Sequence, residues 1–254
     1  MRDAGFLLIS LRPVGGHDGL RRAAARAGGR VLALSPWRIE AHDDAAARRA
    51  LREALACPRV VFTSPAAVRA AATLGPLKTK RGQLFLTVGE GTRRALARAG
   101  APDAQAPTRM DSEGLLALPA MTALQRGDVI GLVTAPGGRG EIARQLTARG
   151  IGVRRADVYA RVPVALPASR MAQMRTLLDE AASPAFLALS SGEAFERLLA
   201  EWPARASASL RRATVIAASE RLAGLARERG FKRVQVAASA RPADLVAAIG
   251  ATSP

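Results

Sequence analysis

Short strand-like runs alternate with helix-like segments along the whole chain, and this alternation limits the available folds more than any other feature. A β-branched and apolar run such as Val60–Phe62 is followed by a hydroxyl or glycine junction and then by a helical pattern. Repeated strand–helix units with short connections form parallel sheets flanked by helices. The sequence therefore predicts an α/β protein, and 254 residues are enough for two such sheets.

Two proline-broken extended segments are the predicted crossings between the two sheets. They are Leu34–Glu40 and Val153–Val164, and no low-complexity linker lies elsewhere between the two halves. In parallel sheets ligands bind beyond the carboxyl ends of the strands. The hydroxyl and glycine junctions that follow the predicted strands lie at such ends, which makes them the predicted ligand-binding positions.

The junction after Val60–Phe62 carries the strongest local signal. Thr63 or Ser64 can cap a helix whose first turn contains Pro65, because a hydroxyl oxygen accepts a hydrogen bond from a free helix N–H. The remaining N–H groups favour an anion. A similar junction, Ser190-Ser191-Gly192, follows Phe186–Leu189. The alternative is that these hydroxyls only start helices.

The chain is strongly basic, with 38 Lys and Arg residues against 21 Asp and Glu residues and a formal net charge of +17. Such a balance favours polyanionic partners: nucleic acid, an anionic membrane or a polycarboxylate metabolite. The arginines are scattered through the predicted helices and are not gathered into one tail. A coding sequence rich in G and C would also produce this scatter without any functional role.

Several common classes of site are excluded. Cys57 is the only cysteine, so neither an internal disulfide nor a cysteine metal cluster is expected. His17 and His42 are not at metal-ligand spacing. No P-loop, dinucleotide fingerprint or Gly-x-Ser-x-Gly elbow is present. Without a membrane-length apolar stretch or a signal peptide pattern, a cytoplasmic protein is expected.

Tyr159 is the only tyrosine, and it lies in the second extended segment. A phenol is neutral at pH 7 and can donate a hydrogen bond or a proton to a leaving group. The alternative is an ordinary half-buried tyrosine in a β-ladder. Its position near the predicted crossing makes it a candidate catalytic residue.

Taken in order, these residues resemble the uroporphyrinogen-III synthase family over nearly the whole chain. Each matching piece is short, and the ordered set is what carries the resemblance: Val61-Phe62-Thr63-Ser64-Pro65 with Ala67-Val68, Val88-Gly89 with Thr92, Ser112-Glu113 with Leu115-Leu116, Gly137-Gly138-Arg139, Val158-Tyr159 and Leu189-Ser190-Ser191.

The resemblance implies two parallel-sheet α/β domains joined by a two-stranded antiparallel ladder. The N-terminal strands would complete the domain that the C-terminal half builds. On this basis the predicted domains are residues 1–36 with 164–254, which form a discontinuous α/β domain, and residues 37–163, which form the second.

The resemblance also implies the reaction. Hydroxymethylbilane, a linear tetrapyrrole with eight carboxylates, loses water and closes to uroporphyrinogen III with inversion of its terminal ring, and neither cofactor nor metal is used. Tyr159 matches the family's tyrosine beside the leaving hydroxyl and is the predicted catalytic residue. The predicted substrate-binding residues are Thr63, Ser64, Thr92, Gly138, Ser190, Ser191 and Ser219.

The expected partner is this small-molecule substrate, with no nucleic acid and no membrane. A monomer is expected, with transient hand-over of substrate from hydroxymethylbilane synthase. Two alternatives stay open: an arginine-rich α/β nucleic-acid-binding protein and a non-catalytic binder of a small acidic ligand. Nucleic-acid binding would need aromatic stacking positions, and only 4% of the residues are aromatic.

Overall fold

The computed structural model describes residues 5–136, 140–180, 183–202 and 207–250. The chain divides into two compact units: Met1–Arg38 with Pro163–Pro254, called here the discontinuous unit, and Ile39–Val162, called the continuous unit. The boundaries predicted from the sequence lay at 36 and 164. That each unit folds as an independent domain stays a prediction.

The strands and helices alternate along both units. In chain order, the strands are β1 (Leu7–Ser10), β2 (Arg30–Ala33), β3 (Trp37–Ala41), β4 (Arg59–Phe62), β5 (Leu84–Thr87), β6 (Val129–Thr134), β7 (Gly152–Asp157), β8 (Tyr159–Pro163), β9 (Ala185–Leu189), β10 (Thr214–Ala217) and β11 (Val234–Val236). The helices are α1 (Asp18–Arg26), α2 (Ala45–Leu55), α3 (Pro65–Leu74), α4 (Glu90–Arg98), α5 (Ser112–Leu116), α6 (Pro119–Thr122), α7 (Glu141–Ala148), α8 (Ala168–Asp179), α9 (Gly192–Glu201), α10 (Ser207–Arg211), α11 (Glu220–Glu228) and α12 (Pro242–Gly250).

The discontinuous unit contains a parallel sheet with the strand order β11-β10-β9-β1-β2. The N-terminal strand β1 pairs with β9, so the N-terminus completes a sheet built largely by the C-terminal half, as the family resemblance implied. Along the sheet, the order of this unit's own strands is 2-1-3-4-5. This is the doubly wound order, whose direction of winding changes between β1 and β9.

Alternate residues of β1 enter the two cores of this unit. Leu7 and Ile9 pack in one cluster with side chains of α8, α9 and α11. Leu8 packs in another cluster with side chains of α1 and α12. Because side chains alternate across a strand, a β1 that is apolar from Leu7 to Ile9 is what a sheet covered on both faces requires.

The continuous unit repeats this plan with the parallel order β5-β4-β6-β7, which is 2-1-3-4 for its own strands. Phe62 packs with residues of α2, α3 and α4. Val61 packs on the other face with residues of α5, α6 and α7. Here the winding changes direction between β4 and β6, and this junction is the expected ligand position.

The strands β3 and β8 form a separate two-stranded sheet. Hydrogen bonds at its two ends run from Val164 N to Pro36 O and from His42 N to Val158 O. Residue numbers rise on one strand as they fall on the other, so the pair is antiparallel. Two parallel α/β sheets and an antiparallel ladder confirm the predicted fold class.

One predicted crossing segment is only partly correct. Val153–Val164 was predicted as an extended crossing segment, but β7 pairs with β6 inside the parallel sheet and only β8 belongs to the ladder. Val158 alone separates β7 from β8. The chain passes from the parallel sheet to the ladder at Val158 without a turn. No glycine or proline is therefore needed there, and the sequence gives no signal of the boundary between β7 and β8.

His17 connects the carboxyl ends of β1 and β2. Its Nδ1 lies 2.9 Å from Ser10 Oγ and its Nε2 lies 2.8 Å from Ser35 Oγ. A neutral imidazole has one donor and one acceptor and can make both bonds with hydroxyl partners. Burial lowers the pKa of His17 from 6.5 to about 4, and the positive charges of Arg21 and Arg12 act in the same direction. The negative charge of Asp18 opposes this shift to a smaller extent.

This shift predicts a loss of stability in weak acid. Between pH 6.5 and about 4 the unfolded chain binds a proton at His17 that the folded chain does not bind, so the free energy of unfolding falls as the pH falls. The full effect is about 3 kcal/mol at 1.36 kcal/mol per pKa unit. Urea midpoints at pH 7.5 and 4.5 should differ less in His17→Gln than in the wild type, and an equal difference would contradict the prediction.

Candidate active site

A cavity of about 210 Å³ lies in the continuous unit where the sheet changes its direction of winding. It opens at the carboxyl ends of β4 and β6 and is bordered by the start of α7 and by β8. Doubly wound sheets bind ligands in such crevices. Its lining residues are Thr63, Ser64, Ser112, Leu132, Thr134, Ala135, Pro136, Gly140, Glu141, Ile142, Ala143, Arg155, Tyr159 and Arg161.

Ser64, one of the two hydroxyl residues that the sequence predicted as the cap, forms the N-cap of α3. Its backbone is extended, with φ −159° and ψ 158°, and Pro65 occupies the first helical turn. The Ser64 Oγ accepts a hydrogen bond from Ala67 N at 3.1 Å. The cap therefore fixes the Ser64 hydroxyl at the wall of the cavity, where its own hydrogen is still available for a second bond.

Thr63 links the two strands that flank the change of winding. Its backbone N donates to Val133 O at 3.1 Å. Its Oγ1 donates to Thr134 Oγ1 at 2.9 Å. The pair of hydroxyls lines the cavity between β4 and β6, so both predicted residues of this junction, Thr63 and Ser64, reach the same space.

Tyr159 joins these residues from the first position of β8. The side chain is only 3% exposed and packs in the core cluster of α2, α3 and α4. Its Oη lies 3.2 Å from Ser64 Oγ, and either hydroxyl can be the donor. Apolar packing holds the ring, and the contact with Ser64 holds the hydroxyl. The phenol therefore has a fixed position and orientation at the cavity.

Two arginines at the cavity were not among the predicted site residues. Arg155 on β7 donates from Nε to Asp157 Oδ1 and Oδ2 at 3.0 and 3.1 Å and from Nη2 to Ala135 O at 2.9 Å. Arg161 on β8 lines the same cavity. Arg155 is two residues from Asp157 on β7, and Arg161 is two residues from Tyr159 on β8. Side chains two residues apart lie on the same face of a strand.

The first turn of α7 brings a carboxylate to the cavity. Glu141 accepts hydrogen bonds from Arg144 Nη2 at 2.5 Å and from Gln145 Nε2 at 2.6 Å, both on its own helix. An acidic side chain in the first turn is favoured by the helix dipole. Arg155 and Arg161 are the cationic side chains of the cavity lining.

Thr92 is not among the residues that line this cavity. It lies in the first turn of α4 and is 3% exposed. Beside it, hydrogen bonds from Arg93 and then Arg94 lower the pKa of Glu90 to about 2. Gly138 lies outside the described residues. The substrate-binding roles of both residues stay predictions.

The remaining predicted residues belong to the discontinuous unit. Ser191 caps α9 by accepting from Ala194 N at 3.4 Å, and Ser219 caps α11 by accepting from Leu222 N at 3.4 Å. Ser190 is half-buried directly after β9. Because β9 and β10 are parallel neighbours, these three hydroxyls lie along one edge of that sheet. Their substrate-binding role stays a prediction.

The described residues contain no group of three or more His, Cys, Asp or Glu side chains placed to hold a metal ion. No helix in that part of the chain has both the length and the apolar character needed to cross a membrane.

Comparison with known proteins gives a consistent result. A family model described as uroporphyrinogen-III synthase HemD matches residues 18–247. A mutant uroporphyrinogen III synthase from the extremely thermophilic bacterium Thermus thermophilus is 18% identical with a TM-score of 0.61, covering 96% of this chain and 98% of its own. A uroporphyrinogen-III synthetase from Helicobacter pylori is 13% identical with a TM-score of 0.60, covering 97% and 99%. No curated protein matches significantly.

Proposed function

The chain belongs to the uroporphyrinogen-III synthase family, and we propose that its reaction takes place beside Tyr159 at the junction of β4 and β6. The reaction closes hydroxymethylbilane to uroporphyrinogen III with inversion of the terminal ring and loss of water. The contact between Tyr159 Oη and Ser64 Oγ, 3.2 Å long at the cavity wall, is the observation that carries this assignment.

The first step expels the terminal hydroxyl. The neighbouring pyrrole nitrogen supplies the electron pair that breaks the C–O bond, so the protein has only to stabilise the departing oxygen. The Tyr159 phenol is suited to donate a hydrogen bond to that oxygen, because it is uncharged and held in place. Ser64 then donates its own hydrogen to the phenol oxygen and keeps the orientation of the phenol.

The later steps need control of shape more than further chemistry. The terminal ring must turn over through a spiro intermediate before the macrocycle closes. Substrate carboxylates stay charged throughout, so the groups that hold them bind ground state and transition state alike. In the continuous unit, Arg155 at the cavity and the N–H group of Ala66 in the first turn of α3 are suited to this role.

Neither alternative function gains support from the comparisons. The finer expectations, that the protein is cytoplasmic, that it is a monomer and that it receives its substrate from hydroxymethylbilane synthase, are part of this proposal.

Turnover separates an enzyme from a binder. Purified protein added to hydroxymethylbilane should shorten the lifetime of this compound in proportion to protein concentration. A non-catalytic binder would leave the lifetime unchanged or lengthen it, because bound substrate would be withdrawn from spontaneous closure. Retention of the normal spontaneous lifetime at micromolar protein would therefore overturn the proposed function.

A further inference from the structure

Arg155 and Asp157 form a fixed pair at the cavity. They are two residues apart on β7, so their side chains lie on the same face of the strand. Arg155 Nε contacts both oxygens of Asp157 at 3.0 and 3.1 Å, and Nη2 lies 2.9 Å from Asp157 Oδ1. Nη2 also donates to Ala135 O at 2.9 Å. These bonds join β7 to the end of β6 and leave the guanidinium little freedom.

The N–H donors on Nη1 of Arg155 are available to a ligand. A guanidinium has five N–H donors. The Nε hydrogen faces Asp157, and Nη2 donates to Ala135 O and lies 2.9 Å from Asp157 Oδ1 in the ion pair. The two hydrogens on Nη1 have no acceptor among the described residues. The side chain is 37% exposed and lines the cavity, so these donors can be reached by a ligand.

We propose that Nη1 of Arg155 binds a carboxylate of the tetrapyrrole and that Asp157 is the residue that positions it. This inference depends on the proposed function for the identity of the ligand. A hydrogen bond between a guanidinium and a carboxylate is among the strong ones, and a fixed donor loses little entropy on binding. Glu141, which lines the same cavity, accepts hydrogen bonds from Arg144 and Gln145 on its own helix.

The neighbouring Arg154 provides a matched control. It carries the same charge on the same strand, but its side chain points to the other face and does not line the cavity. On that face it acts on Cys57, whose pKa is raised by burial and lowered to a lesser degree by the charge of Arg154. If positive charge in general attracts the ligand, substituting either arginine will weaken binding. If the ligand makes a specific contact with Arg155, only substitution of Arg155 will weaken binding.

The test is equilibrium binding of uroporphyrinogen III under anoxic conditions, together with KM and kcat for hydroxymethylbilane. We expect Arg155→Gln to raise Kd and KM by about 10- to 100-fold, the loss typical of a charge-assisted hydrogen bond, with little change in kcat. Arg154→Gln should change each by less than about twofold. Arg155→Lys should recover part of the affinity, and Asp157→Asn should raise Kd while leaving the charge of Arg155 in place.

Coproporphyrinogen III, which has methyl groups in place of the acetates, identifies the carboxylate. If Arg155→Gln weakens binding of uroporphyrinogen III alone, the partner is an acetate. If it weakens binding of both macrocycles, the partner is a propionate. Either result supports the contact.

Equal effects of Arg155→Gln and Arg154→Gln, or an unchanged Kd in a folded Arg155→Gln variant, would overturn the proposal. A wild type that binds the macrocycle but does not accelerate formation of the type III ring would defeat the proposed function and leave the contact intact. A wild type that binds neither macrocycle would defeat both. Thermal unfolding of each variant checks that the continuous unit is still folded.

Discussion

Tyr159→Phe should slow the formation of uroporphyrinogen III by up to about 100-fold, while the fold and the affinity for product stay nearly unchanged. Loss of one donor in a preorganised site typically costs about 10²–10³ in rate. The lower end is expected here, because the pyrrole already activates the leaving hydroxyl. Phenylalanine keeps the ring of a residue that is only 3% exposed, so packing is retained.

The measurement is a single-turnover rate, since product release then cannot hide the chemical step. Ser64→Ala is the matched control, because it removes the contact with Tyr159 from the other side. It also removes the cap of α3, which costs about 1 kcal/mol of stability. We expect it to weaken binding more than it slows the chemistry. If Tyr159→Phe retains the full single-turnover rate, Tyr159 has no catalytic role and is only a structural residue of the antiparallel ladder.

Gly131→Ala should destabilise the continuous unit by about 1–3 kcal/mol, the usual cost of overpacking a filled core. A Cβ at Gly131 on β6 would lie 2.2 Å from Ala54 O and 2.8 Å from Ala54 C. These are backbone atoms at the end of α2, so no side-chain rotation can relieve the clash. Hydrogen exchange of β6 amides should become roughly 5- to 150-fold faster in the variant.

Gly224→Ala is the control with the opposite expected sign. Gly224 lies inside α11, and a Cβ there meets nothing within 4 Å. Alanine in a helix interior is favoured over glycine by about 0.5–1 kcal/mol. We expect slower amide hydrogen exchange in α11 of the Gly224→Ala variant. We expect faster amide hydrogen exchange in β6 of the Gly131→Ala variant. Unchanged exchange in β6 would show that α2 moves away at no cost.

Local features of the fold were well predicted because they depend on neighbouring residues. A strand at Val60–Phe62, a hydroxyl cap at Thr63 or Ser64 and Pro65 in the first turn follow from chain-local rules. The structure has the strand and Pro65 at these positions, and Ser64 is the cap. The Ser191 cap was found in the same way. Strand–helix alternation likewise predicted the parallel sheets, because it has few other solutions.

The features that were missed depend on residues far apart in the chain. Arg155 reaches the cavity because β7 pairs with β6 in a particular register, and a change of one residue would turn it to the other face. The close approach of Gly131 to Ala54 depends on how α2 packs on the sheet. His17 meets Ser10 and Ser35 only when β1 and β2 end side by side.

Within the candidate site, the sequence predicted the hydroxyl residues better than the charged ones. Thr63, Ser64 and Tyr159 line one cavity, and the first two follow a single strand. With 38 Lys and Arg residues in the chain, composition and charge do not distinguish the two arginines at the cavity from the rest. The usable signal was the two-residue spacing of Arg155 from Asp157 and of Arg161 from Tyr159 on extended segments.

The isomer of uroporphyrinogen formed from hydroxymethylbilane tests the central claim most directly. Spontaneous closure gives the type I ring, in which the terminal ring is not inverted, so the type III ring requires a protein that turns this ring over. With the wild-type protein in catalytic amounts, we expect the type III isomer to predominate. Accumulation of the type I isomer alone, at the spontaneous rate, would contradict the account.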